Sequence, residues 1–222
     1  MSSKIFNDPI HGHIELSALA VKVIDTPHFH RLRDISQLGG VYFVFPGAAS
    51  KRFEHSLGVA YLARNLVARI KKSQPELGIT KVDVQCIELA GLCHDLGHGP
   101  FSHLFDARML PLVGVEHFMH EHASLGIFDI LIEENNLMPE FLKRGLKGED
   151  INFIKELILG SPEEAPPGFQ WQGRGEKTFL YDIVANKRNG IDVDKFDYFA
   201  RDCHGLGISK SFDSKRLVRF AR

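Results

Sequence analysis

The chain has 222 residues, 44% of them apolar and 25% charged, the makeup of one globular domain with a core of its own. Its formal net charge of -1 excludes wholesale electrostatic attachment to nucleic acid. Three scattered cysteines, Cys86, Cys93 and Cys203, exclude a disulfide framework and point to a reducing intracellular compartment. No apolar run reaches the roughly 18–20 residues of a membrane span, and the Met-Ser-Ser-Lys start has no signal-peptide core.

The pattern reads mainly helical, with one hairpin. Asp25-Thr26-Pro27 offers a helix N-cap with proline in the first turn, and Phe29, Leu32 and Ile35 follow at helical spacing. This predicts a helix over 28–38, stopped by Gly39-Gly40. Residues 41–47 (VYFVFPG) read as extended, a short hairpin arm closed by a turn. Helices are predicted over 52–72 and 81–96, the second broken by Gly97, Gly99 and Pro100. Further helices are predicted over about 120–134, 149–159, 178–185, 192–203 and 214–221. The Pro- and Gly-rich stretch 161–177 reads as an exposed insertion. One domain over 1–222 is expected. Its last helix runs up to Arg222, so the chain is expected to be a fragment truncated at its C-terminus.

Histidine is the unusual residue. There are 12, and His94, His98, His103, His117, His120 and His122 fall close together. Such density asks for metal, phosphate or proton chemistry. An adjacent His94-Asp95 pair at the end of an apolar helix aims an imidazole and a carboxylate at one point. His55, at the start of the preceding helix, and Asp194, at the start of a late one, complete a two-histidine, two-aspartate set suited to a divalent transition metal. On the late helix Asp194, Tyr198 and Asp202 fall at i, i+4 and i+8, one stripe.

The segments RFEHSLGV, AGLCHDLGHGPFSH, NDPIHGHIEL, DTPHFHRLR and NKRNGIDVDKFDYFARD carry a resemblance. The chain resembles the HD-domain metal phosphohydrolases, and within them the deoxynucleoside triphosphate triphosphohydrolases of the vertebrate sterile-alpha-motif and HD-domain-containing type. The resemblance implies an all-α HD fold with a short β-hairpin arm. It implies that His55, His94, Asp95 and Asp194 hold iron or zinc, with magnesium on the nucleotide phosphates. His98, His103, Asp106 and His120 form the implied catalytic group, a histidine protonating the departing 5′-oxygen and Asp106 supporting an imidazole. Arg52 and Lys195 are implied at the triphosphate, and Gln37, Leu38, Tyr198 and Asp202 at the sugar.

By the same resemblance Lys4, Ile5, Asn7, His13, Asp25, His30, Arg33 and Arg216 bind activating GTP or dGTP and dNTPs between subunits of a dimer that becomes a nucleotide-bridged tetramer. A nuclear location is also implied. The sequence departs from the family at His30, where glutamine is usual, in the shorter segment 107–119, and at Phe196. The regulatory domain that precedes the family's core and the lobe that follows it are absent from the resemblance. Two other functions fit part of the pattern. One is an HD phosphodiesterase acting on cyclic nucleotides or an alarmone. The other is a nucleotide or single-stranded nucleic-acid binding module using Lys210, Lys215, Arg216, Arg219 and Arg222.

Overall fold

The structure is a computed structural model that describes residues 2–210 and 212–221; Arg222, the last of the basic run, lies outside them. It opens with an antiparallel hairpin of β1 (Lys4–Asp8) and β2 (Gly12–Leu16), in register from Lys4↔Leu16 to Asp8↔Gly12. The Asp8 carboxylate forms the corner by accepting from the Ile10 and His11 amides at 2.8 and 2.9 Å, and Gly12 takes a positive φ of 75°. Ile14 and Leu16 turn inward to the core, while Ile5 stays exposed.

The hairpin is therefore not at 41–47. That stretch holds a 3-10 turn, Gly39–Phe43, and a further turn. Its apolar side chains Phe43 and Val44 are 78% and 76% exposed, so among the described residues no strand partner covers them.

Two short helices follow, α1 (Ala18–Ile24), capped by Ser17, and α2 (Pro27–His30), capped by Thr26. The helix expected over 28–38 stops early. It tightens to a 3-10 turn at Arg31–Asp34, and the backbone then leaves the helix to pair with residues 50–52. Gln37 donates to the Ser50 carbonyl at 2.9 Å and Arg52 to the Ile35 carbonyl at 3.0 Å. This cross-link outcompetes helical continuation.

Two long helices form the centre, α3 (Arg52–Ser73) and α4 (Lys81–Cys93). Thr80 and Asp83 form a reciprocal capping box at the start of α4. At the crossing, a side chain on Gly91 would press on Val59, Ala60 and Ala63, so small residues allow the helices to approach closely. The start of α3 thereby lies beside the end of α4. α5 (Leu110–Leu112) is a single turn, preceded by a π-helical turn at Phe105–Met109.

The outer helices are α6 (His120–Glu134), α7 (Met138–Lys143) and α8 (Gly148–Leu159). They bury Phe128, Phe141 and Phe153 in the core, each ring contributing about 1.5–3 kcal/mol. The helix expected over 178–185 is a 3-10 turn, Thr178–Asp182. Past it, the Ile183 carbonyl accepts from Val193 at 3.0 Å, which pins the start of α9 (Val193–Leu206). The last helix, α10 (Ser214–Phe220), lies along α3.

Segment 161–177 is irregular but fastened. Trp171 packs against the core, and Arg174 pairs with Asp83 and Asp150 at 2.9 and 2.7 Å. Cys86 and Cys93 are buried free thiols whose pKa burial pushes far up, so they stay protonated and unreactive. Among the described residues no helix is long and apolar enough to cross a membrane.

Candidate metal centre and active site

Three elements bring the predicted ligands together. His55 comes from the first turn of α3, His94 and Asp95 from the turn that ends α4, and Asp194 from the first turn of α9. The caps fix these ends. Glu54 accepts from the Lys51 amide at 2.8 Å at the head of α3, and Asp192 accepts from the Lys195 amide at 3.0 Å at the head of α9.

The donor atoms converge. His55 Nε2 lies 3.0 Å from Asp194 Oδ1 and 3.3 Å from Asp95 Oδ2, and His94 Nε2 lies 3.3 Å from Asp95 Oδ1 and 3.4 Å from Asp194 Oδ1. Ligands held about 2.0–2.2 Å from one ion stand about 3.0–3.4 Å from each other, so this spacing suits a shared cation. The Nε2 atoms of His55, His94 and His98 are buried and have no hydrogen-bond partner among the described residues. Orphaned imidazole nitrogens are costly, and a metal ion would satisfy them. The His/Asp cluster is able to bind a metal.

The electrostatics agree. Burial works against charging His55, but Asp194 and Asp197 outweigh it and raise its pKa to about 10. His94 is raised as well, burial being outweighed by Asp95 and Asp194. Asp95 is held far below the usual carboxylate range, its burial overcome by Arg52 and His94. The centre thus favours positive charge at the point where the nitrogens meet.

Behind the ligands stands a carboxylate that sequence reasoning missed. Asp197 accepts from His55 Nδ1 at 2.7 Å, from His11 Nε2 at 2.7 Å, and from both Nε and Nη2 of Arg201 at 2.9 Å. The available signal was its place three residues after Asp194, one helical turn on. Arg52 is tied down in the same way, donating to Asp95 Oδ2 at 2.7 Å and Ser102 Oγ at 2.9 Å.

The second predicted group forms a wall beside the first. His98 Nδ1 donates to Asp106 Oδ2 at 2.9 Å, while His120 Nδ1 lies 3.8 Å from the same carboxylate. Asp106 therefore serves His98. The His98 and His120 rings stack with centroids 3.8 Å apart, and the His103 ring meets them edge-on at 4.9 and 5.6 Å. Burial and the neighbouring His98 lower His120 to about 4 and also lower His103. The stack exists because Gly97 has no side chain: a Cβ there would overlap the His120 carbonyl. Ser124 fastens the junction, accepting from Gly97 N at 2.8 Å and donating to the His94 carbonyl at 2.6 Å. His117 is exposed, and His122 binds the Glu164 carbonyl at 2.8 Å.

These groups face a cavity of about 560 Å³. Gln37, Leu38, Arg52, Lys195, Tyr198 and Asp202 all line it, together with His94, Asp95, His98, His103, His120 and Asp194. The Asp194–Tyr198–Asp202 stripe runs along one side. Lys187 and Asn186 also reach the cavity, from the NKRNG segment whose side chains the sequence reading did not assign. Burial raises Asp202 to about 6, and its Oδ1 has no partner among the described residues.

The residues assigned to activator binding lie elsewhere. Lys4 pairs with Asp25 at 3.4 Å on the surface, and Asn7 faces His13 across the hairpin. Arg33 lies over the Phe53 ring at 3.5 Å, and His30 meets the same ring edge-on. Ile5 is exposed, and Arg216 stands on α10 beside Phe220.

Fold and centre together define a class. The HD domain family model matches residues 52–202, and the chain belongs to that family. Its particular kin are equally plain. It is 59% identical to the chicken (Gallus gallus) deoxynucleoside triphosphate triphosphohydrolase SAMHD1, over 99% of this chain and 36% of that protein. It is 58% identical to the Homo sapiens protein of that name, over 99% of this chain and 36% of the relative, and 46% identical to the Dictyostelium discoideum homolog, over 100% and 40%. The chain thus spans less than half the length of these curated relatives.

Proposed function

We propose that this chain is the core of a metal-dependent enzyme that hydrolyses deoxynucleoside triphosphates to deoxynucleoside and inorganic triphosphate. The observation that carries the reading is the cavity itself, with the His/Asp cluster, the cations Arg52 and Lys195 and the Tyr198–Asp202 stripe on one surface. Similarity to relatives named as deoxynucleoside triphosphate triphosphohydrolases supports the substrate class.

His55, His94, Asp95 and Asp194 would hold iron or zinc, with magnesium accompanying the phosphates. When bound, the ion supplies charge neutralisation at phosphorus and a water of lowered pKa. The chain's own side chains do the rest. Arg52 and Lys195 bind the triphosphate, Arg52 from a guanidinium already fixed by Asp95 and Ser102. One water adds to the α-phosphorus and gives up a proton, and the bond to the 5′-oxygen breaks. That oxygen takes a proton from the His98–His103–His120 group, which the proton lost by the water restores. His103 and His120 have lowered pKa values as they stand. A phosphate beside the rings supplies the negative charge that draws a proton to them. Tyr198 packs on the sugar, Gln37 and Asp202 bind its 3′-hydroxyl, and Leu38 closes the 2′-side so that a ribose hydroxyl would lack a partner.

Activation by GTP or dGTP and by dNTPs at Lys4, Ile5, Asn7, His13, Asp25, His30, Arg33 and Arg216, with assembly to a dimer and then a tetramer, belongs to the same proposal. The exposed apolar side chains of Phe43, Val44, Leu112 and Val113 are available to such an assembly. The test is product analysis with dATP and GTP. Inorganic triphosphate and deoxyadenosine support the reading; hydrolysis of a cyclic nucleotide instead would favour an HD phosphodiesterase.

A further inference from the structure

The matched family region begins at residue 52, yet the environment of His55 is completed by residues far upstream. In the hairpin turn, His11 Nε2 lies 2.7 Å from Asp197 Oδ1, and its side chain is only 6% exposed. Asp8, at the other side of the turn, accepts from Arg201 Nη1 at 3.0 Å. Arg201 in turn grips both oxygens of Asp197. Asp197 thus receives hydrogen bonds from three side chains, His11, Arg201 and His55, the last from Nδ1 at 2.7 Å.

The chemistry of these bonds is fixed by donor type. A carboxylate gripped by a guanidinium accepts only, so both histidine nitrogens facing it must carry hydrogens. With Nδ1 engaged by Asp197, Nε2 is the nitrogen of His55 left for an ion, aimed at the cluster. His11 fixes Asp197 from the opposite side, at Oδ1, while His55 binds Oδ2. Without His11, Oδ1 loses a donor and the carboxylate can shift on the Arg201 fork.

We infer that the hairpin turn is part of the metal centre, and that His11 acts through Asp197 as a positioning residue for the ligand His55. This inference rests on the proposed metal site and not on the identity of the substrate. Groups that orient metal-bound imidazoles in this way commonly change affinity by about 10–100-fold when removed.

The experiment titrates Co²⁺ into the wild-type chain, His11→Ala and His11→Gln, following the visible ligand-field absorption, with melting curves of each metal-free protein. The inference expects His11→Ala to melt within a few degrees of wild type yet bind Co²⁺ about tenfold or more weakly, with an altered spectrum. His11→Gln, which keeps an N–H donor, recovers much of both. A folded His11→Ala with wild-type affinity and spectrum overturns the positioning role. A wild-type chain that takes up no Co²⁺ overturns the metal-centre reading as well, so the two failures are told apart.

Discussion

His120 lies flat on His98, ring centroids 3.8 Å apart and planes 16° from parallel. Two imidazoles at that distance resist sharing two positive charges, and Asp106 bonds His98, not His120. His120 is accordingly lowered to about 4, by burial first and by His98 second. Replacing His98 with Asn removes the second cause, so the His120 midpoint should rise towards the ordinary value of about 6.5 in an NMR titration. An unchanged midpoint would show that His98 plays no part. Because the unfolded chain takes up this proton and the native one does not, the stability it affects is intact above about 6.5 and declines as pH falls towards 4.

Gly58 stands on α3 where any side chain would overlap the Asp197 carboxylate. Gly58→Ala should push Asp197 away from Arg201 and His55. Disturbing a buried, paired charge of this kind costs about 3 kcal/mol, a fall of roughly 10 °C in Tm for a chain of this size. Calorimetry and Co²⁺ binding check both effects. A variant with wild-type Tm would mean the network yields without cost.

Asp202 carries a penalty that the cavity imposes. Burial raises its pKa to about 6, so the native chain holds the proton more tightly than the unfolded one. Stability should therefore fall as pH rises from about 4 to about 6 and stay reduced above that. Asp202→Asn removes the penalty: it should melt higher than wild type at pH 8 and about equally at pH 4, while raising KM for the nucleotide. Equal melting at both pH values would contradict this.

Segment 161–177 is held by charge as well as by Trp171. Asp83 is fully buried between Arg174 and Lys177, and these partners, opposing its burial, lower it to about 2. This contribution is full above about 4 and is lost as pH falls through 2. Arg174→Met keeps an apolar side chain of similar length but removes the guanidinium that lies over Phe153 and pairs with Asp83 and Asp150. We expect a loss of about 2–3 kcal/mol in urea denaturation, with faster chymotrypsin cleavage at Phe169 and Trp171. Unchanged cleavage would place the anchoring elsewhere.

The candidate ligand cluster was legible because His55, His94, Asp95 and Asp194 sit in dense local words at helix ends, where side chains of different elements can meet. The long helices were legible from their apolar spacing and caps. Asp197 and His11 were not, because their importance comes from a contact between residues 186 positions apart in sequence. The hairpin was misplaced for a related reason. Residues 41–47 have strand-like composition, but the alternation that matters lies in GHIEL, too short to stand out, and is fixed by the Asp8 turn. The helix expected at 28–38 failed because backbone pairing with residues 50–52, invisible in local spacing, wins over helical continuation.

The most direct measurement is ³¹P NMR of the metal-loaded chain incubated with dATP and GTP, alongside His94→Asn and Asp95→Asn. Inorganic triphosphate and deoxyadenosine are expected from the wild type and neither from the variants. Release of pyrophosphate or single phosphates, or triphosphate that persists in both variants, would contradict it.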